Sequence, residues 1–270
     1  MTLTTLRLSK SGKHVAYRDR GAGEPLVLLH GVGMQSAAWD PQIDAFAKQY
    51  HVIALDLPGH GDSEPLAQGS LLPEFVDWCH DAISAMDLGS VNLAGHSMGA
   101  LIAMGFATTH ANMVRRIALL NGVYRRPAAA RDAVMSRAAE ICAGQVDLER
   151  PLSRWFGATP EEVAARKLVA SWLNAVDVTG YGTAYTAFAR GDATYADQLS
   201  NITLPFLALT GDGDLNSTPE MSEVMAAQVH NGRAVVIKNH RHMVNLTAPA
   251  QVNKHLLTWL NQPELVREPQ

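Results

Sequence analysis

The chain has 270 residues, 47% of them hydrophobic and 18% charged, with a formal net charge of −4. That is the composition of an ordinary soluble globule, long enough to bury a sizeable core as one domain with an insertion. Its mild acidity speaks against a nucleic-acid binder, which needs a basic face, and no stretch approaches the roughly 18 apolar residues of a membrane span. Residues 3–8 and 14–19 read as an opening hairpin turned at Ser11-Gly12. Pro25–Leu29 is a fully apolar strand running into His30-Gly31-Val32-Gly33, and Val52–Leu55 is another, running into Asp56-Leu57-Pro58-Gly59-His60-Gly61-Asp62-Ser63. A helix over 71–87 leads to the short strand Val91–Ala94, and Gly95-His96-Ser97-Met98-Gly99 joins that strand to a small-residue, apolar helix over 98–110. After the strand Ile117–Leu120 and Asn121-Gly122 the strand–helix rhythm stops. Residues 123 to about 199 are Ala-rich and helical, with breaks expected at Pro127, Gly144, Pro151, Gly157–Pro160 and Gly180–Gly182. The rhythm returns with Leu204–Leu209 and Ala234–Ile237, then a helix from near Pro249 and a tail, Pro263–Gln270, expected to fray. Short runs apolar on both faces mark buried parallel strands, and their alternation with helices marks a doubly wound α/β sheet.

Ser97 stands between a strand and a helix in a G-x-S-x-G frame. Such a turn is tight and strained and presents its hydroxyl to a substrate, and a Cβ two residues before or after the serine would collide with neighbouring chain. The elements H-G-x-G, D-x-P-G-x-G-x-S and G-x-S-x-G, in this order, resemble the α/β-hydrolase superfamily. The resemblance covers about residues 15 to 122 and 200 to 260. It implies an α/β-hydrolase fold, with a mostly parallel central sheet flanked by helices built from residues 1–122 and 200–270. Residues 123–199 are then an inserted helical cap that roofs the nucleophile.

A neutral serine hydroxyl is a poor nucleophile without a base. The resembled family carries nucleophile, acid and histidine in that chain order. Among eleven histidines, His242 is the expected base: it follows the last strand and opens a loop with the family's proline offset at Pro249. His240 is the nearest rival, read otherwise as a loop histidine. Asp214 fits the family's acid position after the strand at 204–209. Asp212 offers the same charge two residues earlier, its other role being to brace a Gly-rich turn through backbone N–H groups. The place after the sixth strand, where some relatives carry the acid, holds the uncharged Asn121. The expected oxyanion donors are the backbone N–H groups of Met98, at a helix start, and, by the resemblance, of Val32. His30 is read as a pin for that loop, and Asp56–Gly61 as a shaped turn. His240-x-His242 has metal-like spacing without a supporting Cys or His cluster, and Gly31-Val32-Gly33 lacks the rest of a dinucleotide fingerprint. Neither a metal nor a cofactor is expected.

In length and position the cap resembles that of bacterial 3-oxoadipate enol-lactone hydrolases. Trp155, Trp172 and Tyr181 are the substrate-binding residues expected of it, among aromatics that include Phe156, Tyr185 and Phe188. Arg125, Arg126, Arg154 and Arg190 are open to a substrate carboxylate or to surface ion pairs. The expected function is hydrolysis of a small carboxylic ester or lactone through Ser97, His242, Asp214 and an acyl-enzyme. The partner is a small molecule, not a nucleic acid or a membrane. Amide or carbon–carbon hydrolysis and perhydrolysis are alternatives on the same triad, although His30-Gly31-Val32-Gly33-Met34-Gln35 departs from the H-G-S-G-P-G loop of carbon–carbon hydrolases. Ser97 in place of Asp speaks against haloalkane dehalogenase and epoxide hydrolase chemistry. A hydrolase-like ligand receptor is the alternative of another class. Met1–Arg7 lacks the apolar core of a signal peptide, and only Cys79 and Cys142 are present, so the cytoplasm is the expected location.

Overall fold

The computed structural model describes residues 3–263, so the tail expected to fray lies, beyond Pro263, outside the described residues. The strands are β1 (Leu3–Arg7), β2 (His14–Arg20), β3 (Glu24–Leu29), β4 (Tyr50–Leu55), β5 (Val91–His96), β6 (Val114–Leu120), β7 (Phe206–Gly211) and β8 (Gly232–Ile237). They form one sheet in the order β1-β2-β4-β3-β5-β6-β7-β8. β1 and β2 make the expected antiparallel hairpin, and β2 is also antiparallel to β4. From β3 to β8 every pairing is parallel. β5 and β7 are buried at every position, as strands covered on both faces must be. β7 starts at Phe206, after the apolar run does, because Pro205 has no N–H for the ladder. The Pro205 carbonyl instead accepts from the Ile117 N–H (3.0 Å) and from Trp259 Nε1 (3.3 Å).

The helices are α1 (Asp40–Phe46), α2 (Leu72–Ala85), α3 (Met98–Thr109), α4 (Ala128–Cys142), α5 (Glu149–Trp155), α6 (Pro160–Ala175), α7 (Val178–Gly191), α8 (Pro219–Gln228), α9 (Val244–Thr247) and α10 (Pro249–Leu260). Two apolar layers cover the sheet. One, built on Trp39, Phe46 and Trp259, holds α1 and α10. The other, built on α2 and the wholly buried run Met98–Ala107 of α3, continues into α4–α7 between β6 and β7. None of the helices among the described residues is long and apolar enough to cross a membrane.

Two expected breaks are not breaks. Pro151 lies in the first turn of α5, where a missing N–H leaves no helical bond unmade. Gly180–Gly182 lie in the opening turn of α7, which Asp177 caps by accepting the Gly180 N–H at 2.6 Å. Gly180 serves a close approach instead: a Cβ there would stand 2.6 Å from the Gly59 Cα, so the backbone of α7 rests directly on the turn after β4.

Candidate active site

β5 ends at His96 and α3 begins at Met98, which leaves Ser97 as the whole of the turn. Its φ of 53° and ψ of −109° lie where a residue with a Cβ is held only by its surroundings. Those surroundings are hydrogen bonds from the Ser97 N–H to the Leu120 carbonyl (2.9 Å) and from the Gly99 N–H to the His30 carbonyl (3.1 Å). A Cβ on Gly95 would meet the Gly99 oxygen at 2.0 Å, and one on Gly99 the Leu29 oxygen at 2.2 Å. Both glycines of the motif are needed for the reason the sequence suggests.

The loops after β7 and β8 bring Asp214 against His242, with Nδ1 donating to Oδ2 at 2.8 Å. Oδ2 also accepts the Asn121 amide (2.8 Å), and Oδ1 accepts the N–H groups of Asn216 (2.8 Å) and Ser217 (3.1 Å). Burial by itself would push Asp214 up. The His242 ring and the bonds from Asn121 and Asn216 outweigh it and hold the carboxyl below its ordinary value. An ionised Asp214 can only accept, so the proton sits on Nδ1 and Nε2 is left as the basic nitrogen. The ring is stacked on Trp155 at 5.7 Å, and its backbone carbonyl accepts from His96 Nε2 at 2.8 Å. Ser97 and His242 line one cavity of about 890 Å³, in the range of small-molecule sites. They make no direct hydrogen bond, a contact that tightens in such sites when substrate docks. Asp212 and His240 stand apart from this pair. Asp212 accepts the Asn239 N–H (2.8 Å), and His240 Nδ1 lies 3.0 Å from Thr247 Oγ1.

The backbone N–H groups of Val32 and Met98 make no hydrogen bond among the described residues. The loop carrying Val32 is held by two buried imidazoles. His30 donates through Nδ1 to the Gly31 carbonyl (2.7 Å) and accepts the Leu57 N–H on Nε2 (2.9 Å). His60 donates to the Pro58 carbonyl (3.1 Å) and accepts the Gly33 N–H on Nε2 (2.8 Å). Accepting requires a neutral ring, and burial lowers His30 to about 4 and His60 to about 3. Asp56 joins in by accepting the N–H of Ser36 at 2.6 Å. The H-G-x-G and D-x-P-G-x-G elements are therefore one interlocked unit.

Of the three residues expected to bind substrate from the inserted helices, only Trp155 lines the cavity. Trp172 does not: it flanks the buried face of α6, which runs through Ala165, Val169 and Leu173, and packs half-buried against the apolar core, off the cavity. Tyr181 does not either. It is fully buried, packed edge-on against His60 (6.3 Å) and Tyr185 (5.8 Å). Arg190 is exposed and off the cavity, whereas Arg125, Arg126 and Arg154 line it. Arg137, on α4, lines it too and was not legible, since the alanines of α4 spread over its faces and mark no inward side. The one hint is its position four residues before the buried Ile141. Among the described residues no group of three or more His, Cys, Asp or Glu could hold a metal ion.

With this geometry in place, comparison with known proteins adds three findings. A family model described as the alpha/beta hydrolase family matches residues 26–255. An (E)-2-((N-methylformamido)methylene)succinate hydrolase from Acinetobacter baylyi is 53% identical over 260 residues, covering 96% of this chain and 98% of its own. Among solved structures, a thermophilic esterase from Thermogutta terrifontis superposes with a TM-score of 0.87 at 21% identity, over 96% of this chain and 98% of that one. The enol-lactonase from Burkholderia xenovorans LB400 gives 0.85 at 22%, over 96% and 100%. At such identities these two structures speak for the fold alone.

Proposed function

Because this chain belongs to the alpha/beta hydrolase family and is a hydrolase, we propose that it cleaves the carbon–nitrogen bond of a small N-acyl enamide bearing carboxylates, with Ser97 as nucleophile. Ser97 Oγ attacks the acyl carbonyl while His242 Nε2 takes its proton. Asp214 holds the ring in the required tautomer and balances the imidazolium charge. The Val32 and Met98 N–H groups receive the oxyanion, each donor contributing about 3 kcal/mol to the transition state. His242 then protonates the leaving nitrogen, and the carbon–nitrogen bond breaks to leave an acyl-enzyme. Water, deprotonated by His242, attacks the acyl carbon, and the acid leaves as Ser97 recovers its proton. Residues 123–199 act as the cap, and Trp155 shields His242 from bulk water.

The observation that supports this chemistry is the meeting of a strained Ser97, the His242–Asp214 pair and two unengaged N–H groups at one cavity. The choice of bond rests on the relative at 53% identity, whose named substrate carries an N-formyl amide, and on that ground we prefer an amide to the ester or lactone that the motifs suggest. An enamide nitrogen is conjugated to a carbon–carbon double bond, so it departs more readily than a simple amide nitrogen. The test is to follow formate release from an N-formyl enamide of methylenesuccinate beside hydrolysis of p-nitrophenyl acetate, with Ser97→Ala as control. A kcat/KM at least a hundredfold higher for the enamide is expected, with loss of about 10⁴-fold or more in Ser97→Ala. Faster turnover of the ester would return the ester reading to first place.

A further inference from the structure

The cavity beside Ser97 carries more positive charge than it neutralises. Five arginines line it, Arg125, Arg126, Arg137, Arg150 and Arg154, against two carboxylates, Glu140 and Glu220. Arg125 is paired with Asp197, and Arg150 with Glu140. Arg137 and Arg154 donate to the carbonyls of Asp147 (2.7 Å) and Leu215 (3.3 Å), and neither is paired with a carboxylate among the described residues.

Arg126 is the most constrained of the five. Its side chain is 3% exposed, and Nη1 lies 3.5 Å from Asp192 Oδ1. That carboxylate is shared: it also faces Arg131 and accepts the Arg126 backbone N–H. Arg126 Nη2 is buried with no hydrogen-bond partner among the described residues. A buried guanidinium with an idle N–H is costly, and burial here pushes the group below its ordinary value, with Asp192 opposing only in part. Arg126 and Arg137 both stand against one pair of rings in α7. Arg126 lies over the Phe188 ring at 4.3 Å and Arg137 over the Tyr185 ring at 5.7 Å, and those rings of α7 touch edge-on at 5.8 Å. Two buried guanidinium forks stacked on rings, Arg126 with an idle donor, match the planar geometry of carboxylates.

Resting on the reading of the chain as a hydrolase of a carboxylate-bearing enamide, we propose that Arg126 and Arg137 form an anion subsite. It grips the two carboxylates of a succinate-type dianion and selects such substrates over neutral or singly charged acyl compounds. The subsite stands in the cavity that holds Ser97, so occupation of the forks orients the acyl group toward the nucleophile.

The test is calorimetric titration of the full-length Ser97→Ala protein with succinate, succinamate and succinamide. Succinate should bind, succinamate at least tenfold more weakly, and succinamide not detectably. Adding Arg137→Gln should weaken succinate at least tenfold and narrow its lead over succinamate. Arg126→Gln endangers the fold through Asp192, so Arg126→Lys, which keeps the charge and loses the fork, is the second variant, with the same weakening expected. In the active enzyme Arg137→Gln should raise KM for the enamide dianion at least tenfold while changing kcat less. Equal affinity for the three compounds, no succinate binding, or both variants within twofold of their parent would overturn the subsite. Succinate selection without enamide turnover overturns the reaction and keeps the subsite, and enamide turnover with indifferent binding does the reverse.

Discussion

Asp214 and Asp212 differ by two positions and by almost everything around them. Asp214 takes hydrogen bonds from His242, Asn121, Asn216 and Ser217, whereas Asp212 takes a backbone N–H and lies 3.9 Å from Lys238 Nζ. Steady-state kinetics should show the difference. Asp214→Asn and His242→Ala should each lower kcat by at least about a thousandfold, since the members of the proposed triad should act as a unit. Asp212→Asn and His240→Ala should each cost less than about tenfold, being outside that unit. Loss greater than this in His240→Ala would shift the base by two residues. Asn121 is a subtler case. It occupies the place where some relatives carry the acid, and its amide steadies the acid from the next strand. Asn121→Ala removes one donor to the ionised carboxylate, so kcat should fall by about tenfold with KM little changed. An unchanged kcat would make the amide a bystander.

At the scale of elements, the contact that places the inserted helices is backbone on backbone. Gly180 in α7 rests on Gly59, which itself has a φ of 75°, and Tyr181 beside it packs against His60, the acceptor of the Gly33 N–H. One helix end thereby buttresses the loop that offers the Val32 N–H. Gly180→Ala would force backbone apart, and overpacking of this kind costs about 1–3 kcal/mol. Thermal unfolding should register that loss, and kcat should fall alongside it because the loop shifts. Gly144→Ala is the control: unlike Gly180 this residue has a positive φ (79°), and nothing lies within 4 Å of its added Cβ, so only backbone strain, and no loss of kcat, should appear. Equal kcat losses in the two variants would separate α7 from the loop proposed to hold the oxyanion. The sequence shows glycines at 180 and 182 without showing what they approach, and a break is the natural reading of such a pair until Gly59 is seen beside them.

For the whole molecule, three buried imidazoles set the response to acid. Burial lowers His30 to about 4 and His60 and His96 to about 3, from 6.5. As pH falls below 6.5 the unfolded chain takes up these protons and the folded chain does not, until about pH 4. Stability is therefore full above 6.5 and declines with falling pH through that window, with a slope approaching about 4 kcal/mol per pH unit when all three titrate. Asp214 adds nothing there, because a carboxyl held below 3.8 loses its contribution only at still lower pH. Urea unfolding between pH 7.5 and 5 should show the decline at constant m-value. A flat stability over that range would mean that the rings are charged in the folded protein.

The sequence by itself determined the parts that depend on a few neighbouring residues. Apolar runs such as Val27–Leu29 and Leu207–Leu209 had to be buried strands, and the frame around Ser97 had to be a strained turn, because glycine alone fits at 95 and 99. His30 reads in the sequence as a pin for its loop, but its bond to Leu57 and that of His60 to Gly33 each span 27 residues and exist only because β3 and β4 lie side by side. Only the tertiary structure shows which of Asp212 and Asp214 meets His242, because both follow β7 and the contact depends on where the loop after β8 lands. It also decided which inserted side chains face the cavity. Trp172 and Tyr181 look like Trp155 in composition, but the first packs half-buried against the core and the second is buried against His60. Arg137 comes to the site only when α4 packs on α7, and the rotation of an alanine-rich helix is set by its neighbour, not by a pattern of its own.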